Sequence, residues 1–223
     1  MTKKPESSEA VADKTLAEYV KELELAIEGC LKTISRINGI RAPFAAGHEL
    51  QVAELAVAIG KEMRLPDKVL WGIHAAGCIH DIGCITVPAE ILSKPEKLTQ
   101  YEMLSVRNHV RAGFDMVKDI EFPWPVAKTI LQHHERLDGS GYPNGTKGEE
   151  IIMEARIIAV ADVMDAIASH RPYRPALGIQ SALDEIEQGS GIVYDPDVVK
   201  TCLKMFHEKS YAHEYASSGI WKH

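Results

Sequence analysis

The sequence predicts an all-α protein, a single bundle of helical hairpins with an N-terminal helical extension. Apolar residues recur at steps of three and four through most of the 223-residue chain. Alternating strand patterns are absent, and proline and glycine cut the chain into segments of helical length. The expected division is a tail and heptad-like helix over 1–39, the helical bundle over 40–208 and a C-terminal tail over 209–223.

Residues 1–10 are polar and predict a frayed start. Leu16, Val20, Leu23, Ile27, Cys30, Ile34 and Ile37 then trace a seam of about 3.5-residue period. Two readings stand: the first helix of the bundle, or a helix joining two copies of the chain as a homodimer. Asn38, Gly39 and Pro43 break that pattern before His48, Val52, Leu55 and Ile59 resume it. Pro66 and Asp67 open a helix carrying Val69, Leu70, Ile73, Ala76 and His80, and Pro88 and Pro95 mark an irregular connection. Thr99 with Glu102 predicts a capping box for a helix running through His109 to about Val117. Pro123 and Pro125 flank the start of a helix bearing Val126, Ile130, Leu131, His133 and His134. From Glu135 to Glu150 the periodicity vanishes, and Gly139, Gly141, Gly145 and Gly148 sit in a loop too long for a mere connector. An apolar helix over about Met153 to Ser169, a turn through Arg171 and Arg174, a helix near Ile179–Gln188 and one opened by Asp195 and Pro196 complete the bundle.

Composition removes several classes. Hydrophobic residues at 45% and charged residues at 26% are globular proportions, which excludes disordered and disulfide-scaffold chains. A formal charge of −7 argues against nonspecific DNA or RNA binding, which needs a basic surface. The stretch Ile151–Ala168 is interrupted by Glu154, Arg156, Asp162 and Asp165, and no membrane span is expected. Met1–Ala10 lacks the apolar region of a signal peptide, so a cytoplasmic protein is expected. Cys30, Cys78, Cys84 and Cys202 form no CxxC pair and read as free thiols.

The chemistry lies in seven residues: His48, His80, Asp81, His109, His133, His134 and Asp162. The groups they form lie 24 to 32 residues apart, enough for one helix to run out and the next to return, so all seven can meet at one level of the bundle. Any one of these histidines alone would read as a hydrogen-bonded core residue. Five imidazoles and two carboxylates among apolar neighbours are costly to bury unless something satisfies them together, as a metal centre does. Seven groups exceed the four of a structural zinc site and, with one bridging carboxylate, suit two divalent metals that keep positions open. Mixed imidazole and carboxylate ligation points to iron or manganese, with zinc or nickel as alternatives. His133 and His134 diverge by about 100° on a regular helix, so both reach one metal only if the helix ends there.

His80-Asp81-Ile82-Gly83, His133-His134-Glu135, Asp138-Gly139-Ser140-Gly141-Tyr142-Pro143, Ala161-Asp162-Val163 and Arg171-Pro172-Tyr173-Arg174 follow in order within about residues 40–206. Together they resemble the HD-GYP family of bacterial cyclic di-GMP phosphodiesterases, a helical subset of the HD metal-dependent phosphohydrolases. The resemblance implies hydrolysis of cyclic di-GMP to linear pGpG and often onward to GMP, in second-messenger signalling. It makes His48, His80, Asp81 and Asp162 ligands of one metal and His109, His133 and His134 ligands of a second, with Asp81 bridging and His80 and Asp81 at the catalytic centre. It places Arg171 and Arg174 against substrate phosphates, with Lys147, Gly141 and Tyr142 as further substrate contacts; ordinary solvated surface is the competing reading for Lys147. It also links the Gly-Tyr-Pro loop to diguanylate cyclase domains as partners.

Several positions depart from the family pattern. Cys84 follows His-Asp-Ile-Gly where lysine is usual, and a thiol supplies no cation to a phosphate. A weakly active cyclic di-GMP receptor or sensor is therefore one alternative, and a hydrolase of another cyclic nucleotide is a second. Cys84 could also act as a soft ligand or make the centre redox-sensitive, against the plainer reading of a neutral replacement. Phe44 stands where members with a third metal carry glutamate, so two metals are expected. His170 and Gln51 replace acidic and arginine residues beside the site. His74, His207, His213 and His223 have no motif context and read as surface or core residues.

Overall fold

The computed structural model describes residues 15–41, 46–171, 174–208 and 211. Phe44, Pro172, Tyr173, His213 and His223 lie outside them, so the expectation of no third metal, which rests on Phe44, is not addressed. Among the described residues every regular element is helical, apart from isolated bridges pairing Arg171 with Arg174 and Ser190 with Tyr194. The order is α1 (Leu16–Arg41), α2 (His48–Glu62), α3 (Asp67–Ile79), α4 (Ala89–Leu92), α5 (Gln100–Arg107), α6 (His109–Val117), α7 (Val126–Gln132), α8 (Met153–Ala168), α9 (Ile179–Gln188) and α10 (Pro196–Glu208). A 3-10 turn, Ile82–Thr86, follows α3.

Helices α2, α3 and α8 form the centre. Val52, Leu55 and Ile59 of α2, Ile73 and Ala76 of α3, and Ile157, Ile158, Ala161 and Met164 of α8 are fully buried. Small residues let the backbones approach: a Cβ at Gly77 would lie 2.7 Å from Ala53 Cα, so α3 meets α2 at a point only glycine fits. The segment Asp67–Thr86 has the length and mean hydropathy, 20 residues at 1.2, of a membrane-crossing helix, which the sequence reading did not anticipate. Over half of its apolar window is buried in the core, and its helix ends at Ile79 before His80 and Asp81.

Two expected boundaries differ. Helix α1 does not stop at Asn38 and Gly39 but continues to Arg41. Both residues are buried, and a Cβ at Gly39 would sit 3.1 Å from Ala46 Cα, so tertiary contact outweighs the helix-weakening tendency of glycine. The predicted helix from Thr99 to Val117 is two helices that meet at Asn108, although the Thr99–Glu102 capping box forms as expected. The face of α1 against the bundle is also not the heptad seam: Leu16 and Leu23 are 80% and 63% exposed, whereas Leu31, Ser35 and Asn38 turn inward. His74, the histidine without motif context on α3, lies 2.6 Å from Glu28 Oε2 and ties α3 to α1.

Gly77→Ala should force α2 and α3 apart at their closest point. An overpacking cost of about 2 kcal/mol is expected, read as a fall of about 4–8 °C in the thermal midpoint of the otherwise unchanged protein.

Candidate metal centre

A helix leaves its last carbonyls without partners. Three of the site histidines use them. His80 caps α3 and its Nδ1 donates to Gly77 O at 2.8 Å. His133 caps α7 and its Nδ1 donates to Ile130 O at 2.7 Å. His109, at the α5–α6 break, donates from Nδ1 to Val106 O at 2.7 Å. A carbonyl can only accept, so each Nδ1 carries a proton and each Nε2 is turned into the site. The break at Asn108 thus frees a carbonyl for His109, and the end of α7 at Gln132 lets His133 and His134 converge, as the 100° argument required.

His48 opens α2 and is held differently. Its Nδ1 donates to Asp165 at 2.5 Å, leaving Nε2 3.2 Å from Asp162 Oδ1. Asp162 and Asp165 are three residues apart on one face of α8, and Ser169 Oγ supports Asp165 at 3.3 Å. Asp81, just past α3, divides its two oxygens. Oδ1 faces His109 Nε2 at 3.1 Å and His133 Nε2 at 3.8 Å, while Oδ2 faces His80 Nε2 at 3.6 Å and His48 Nε2 at 3.9 Å. His134 Nδ1 lies 3.8 Å from Asp162 Oδ2.

The ligand atoms fall into two sets, Asp81 with His109, His133 and His134, and His48 with His80 and Asp162, each drawn within 4.8 Å. This donor set fits two divalent cations. His109 Nε2 lies 3.1 Å from Asp81 Oδ1 and 3.4 Å from His133 Nε2, and His80 Nε2 is buried with no hydrogen-bond partner. A buried ring nitrogen without a partner, set beside two carboxylates, is satisfied by a cation.

Charge follows the same arrangement. Burial raises the Asp81 and Asp162 carboxyls, but the surrounding imidazoles override it and hold both well below the usual range. Burial and neighbouring rings push His133 far down, and burial takes His134 to about 3, so both are neutral, the form that binds metal. For His48, burial and Arg171 oppose protonation, yet hydrogen bonds with Asp162 and Asp165 outweigh them and lift it to about 10. The carboxylates around His48 therefore call for positive charge.

A cavity of about 640 Å³ opens onto these residues. Arg171, Arg174, Tyr142 and Cys84 line it; Lys147 and Gly141 do not. Arg174 spends its guanidinium on the carbonyls of Ala166, Ile167 and Pro175, at 2.7 to 3.2 Å, and so caps the end of α8. Gly141 serves packing, since a Cβ there would lie 2.4 Å from His134 O, and the Lys147 stem lies over Gly139. Tyr142 stacks on His134 with centroids 4.8 Å apart, under the Arg107 guanidinium. Cys84 has its thiol pushed far up by burial and by the Asp81 and Glu49 carboxylates, which keeps it protonated. His170 Nδ1 accepts from Ala176 N at 3.3 Å, Gln51 is buried, and His207 is exposed on α10.

Residue-by-residue reading missed two supporting carboxylates. Asp165 carried a signal, its three-residue offset from Asp162, but its partner His48 is 117 residues away. Glu135, buried after the histidine pair, accepts from Asn144 N at 2.8 Å and Thr146 N at 3.0 Å, and so fastens the Gly-Tyr-Pro loop to the end of α7.

A model of the HD domain matches residues 32–198. The chain belongs to the HD domain family. It is similar to a cyclic di-GMP phosphodiesterase of Thermotoga maritima, with 36% identity over 198 residues, covering 88% of this chain and 54% of that protein. It is also similar to 3'3'-cGAMP-specific phosphodiesterase 3 of Vibrio cholerae, with 33% identity over 171 residues, covering 77% and 37%. The crystal structure of a cyclic GMP-AMP specific phosphodiesterase of Vibrio cholerae shares the fold, with a TM-score of 0.65 and 18% identity over 86% of this chain and 51% of that one. This HD-domain chain therefore spans about half the length, or less, of these curated relatives.

Asp165→Ala should leave His48 free to rotate and weaken metal binding by about 10- to 100-fold. Competition with a chelator of known affinity, on protein with an unchanged far-ultraviolet spectrum, measures it.

Proposed function

We propose that this chain is a metal-dependent phosphodiesterase that hydrolyses cyclic di-GMP to pGpG, GMP or both, in the cytoplasm, as part of bacterial second-messenger signalling. The observation that carries this reading is Asp81, on the wall of one cavity, with Oδ1 toward His109 and His133 and Oδ2 toward His80 and His48. Of the expected site residues, His48, His80, Asp81 and Asp162 would hold one ion and His109, His133 and His134 the other, with Asp81 bridging; iron or manganese suits the donors best. A pair of divalent ions, when bound, supplies the Lewis acidity that activates water and neutralises phosphate charge.

The chain's own residues supply orientation. Gly77, Val106 and Ile130 hold their rings by the Nδ1 protons, so the donor atoms do not have to reorganise. Arg171 lines the cavity with its charge near enough to His48 to oppose its protonation, and its guanidinium suits a substrate phosphate. Tyr142, stacked on His134, covers one side. The Gly-Tyr-Pro loop is fixed from behind by Glu135, which leaves its outer face for a protein such as a diguanylate cyclase domain.

Relatives named for cyclic di-GMP and for 3'3'-cGAMP make the second dinucleotide the nearest alternative substrate. Cys84 favours a different second reading, a receptor with slow turnover, because a protonated thiol occupies a cavity wall where a cation would assist.

Metal-loaded protein incubated with cyclic di-GMP, with products separated by chromatography, decides among these. Formation of pGpG or GMP is expected; intact nucleotide bound tightly would favour the receptor. His80→Ala should abolish metal loading, read by elemental analysis, and two ions retained per chain would contradict the ligand assignment. Cys84→Lys should raise turnover by about tenfold, since one added charge contact to the transition state is worth at least that in comparable sites.

A further inference from the structure

Helix α1 divides into two parts. From Leu31 onward it packs on the bundle: Leu31, Ser35 and Asn38 are buried, Ile34 packs against the core, and Arg41 Nη2 donates to Val87 O at 3.1 Å. Just before that, Glu28 reaches His74. Every residue from Glu18 to Ile27, by contrast, is exposed. A helical stretch of that length is marginal in water and depends on packing to persist.

What this stretch presents is the heptad seam. In the lettering abcdefg, Leu16, Leu23 and Cys30 take position d, and Val20 and Ile27 take position a. All five are exposed. The bundle claims other positions, b through Glu28 and Ser35 and e through Leu31 and Asn38, about a quarter-turn around the helix, so the seam stays open while α1 is docked. β-Branched residues at a with leucine at d are the combination that favours two parallel strands. Among the flanking e and g positions, Tyr19, Glu24 and Ala26, Glu24 is the sole charge, and parallel pairing sets it against Tyr19 rather than another carboxylate. The seam ends at Ile34, which turns to the core, so the open part is short and its pairing depends on concentration.

We propose that the seam of α1 over residues 16–30 pairs in parallel with the same seam of a second copy of the chain, forming a two-stranded coiled coil with one helical bundle on each outer side. The repeat is self-complementary, since each a or d layer meets its own counterpart. The inference is independent of the reaction the metal centre performs.

The test is sedimentation equilibrium of the full, metal-loaded chain across a range of concentrations, where the wild type is expected to pass from monomer to dimer. Leu23→Glu combined with Ile27→Glu, one d and one a layer, should raise the dimer Kd by at least about 100-fold, about tenfold for each apolar side chain taken from the seam. Leu25→Glu, as exposed as Leu23 but at position f, should leave that Kd within about twofold. Orientation is read separately. In a parallel pair the two Cys30 thiols share one layer, so diamide, which takes up their two protons and two electrons, should couple them into a disulfide found by peptide mass analysis and lost in the seam variant. An antiparallel pair sets d against a and leaves Cys30 without its twin. A wild type that is monomeric up to about 1 mM, a trimer, an equal loss in Leu25→Glu and the seam variant, or a dimer that yields no Cys30–Cys30 linkage would overturn the proposal. Should the seam variant not fold, the Cys30 coupling in the otherwise native chain still decides.

Discussion

Everything else in this fold is arranged around one electrostatic problem: five imidazoles and two carboxylates are directed to one place among buried aliphatic side chains. In isolation each polar group would lose hydration without return. His109 Nε2 faces both Asp81 Oδ1 and His133 Nε2, and His80 Nε2 has no hydrogen-bond partner, an arrangement that positive charge relieves. The helices around the site are packed behind it. Val52, Ala53 and Leu55 of α2, Ile73 and Ala76 of α3, and Ile158, Ala161 and Met164 of α8 form a tightly packed frame behind the ligand atoms.

The helix ends do most of the aiming. Ending a helix frees carbonyls, and His80, His109 and His133 each use one three residues earlier in the chain. The same hydrogen bond satisfies the backbone, selects the tautomer and points Nε2 inward. His48 and Asp162 instead sit at the start and in the middle of their helices, and there Asp165 takes over the orienting role. Behind the histidine pair, Glu135 turns a glycine-rich loop that has little structure of its own into a fixed wall of the cavity.

The end of α1 belongs to this system as well. Its heptad spacing suits either a helix of the bundle or one joining two copies of the chain, and in the structure Asn38 and Arg41 line the cavity and Ser35 reaches Glu49. Over its last turns α1 is part of the domain wall, and the match to the HD domain model begins within it, at residue 32.

The sequence by itself determined the all-helical architecture, the capping box at Thr99 and the seven candidate ligands, because helical periodicity, caps and motif residues are local signals that survive without coordinates. It missed the passage of α1 through Asn38 and Gly39, where contact with Ala46 outweighs local preference, and the break at Asn108. Arg174, expected at a substrate phosphate, lines the cavity and also donates to carbonyls at the end of α8. Only the tertiary structure decided which oxygen of Asp81 faces which histidines, that Asp165 orients His48 from 117 residues away, and that α1 closes the cavity. Local sequence fixes how each segment coils and which groups it carries. Distances between segments depend on how buried side chains fit against one another, and that fit exists only once the whole core has assembled.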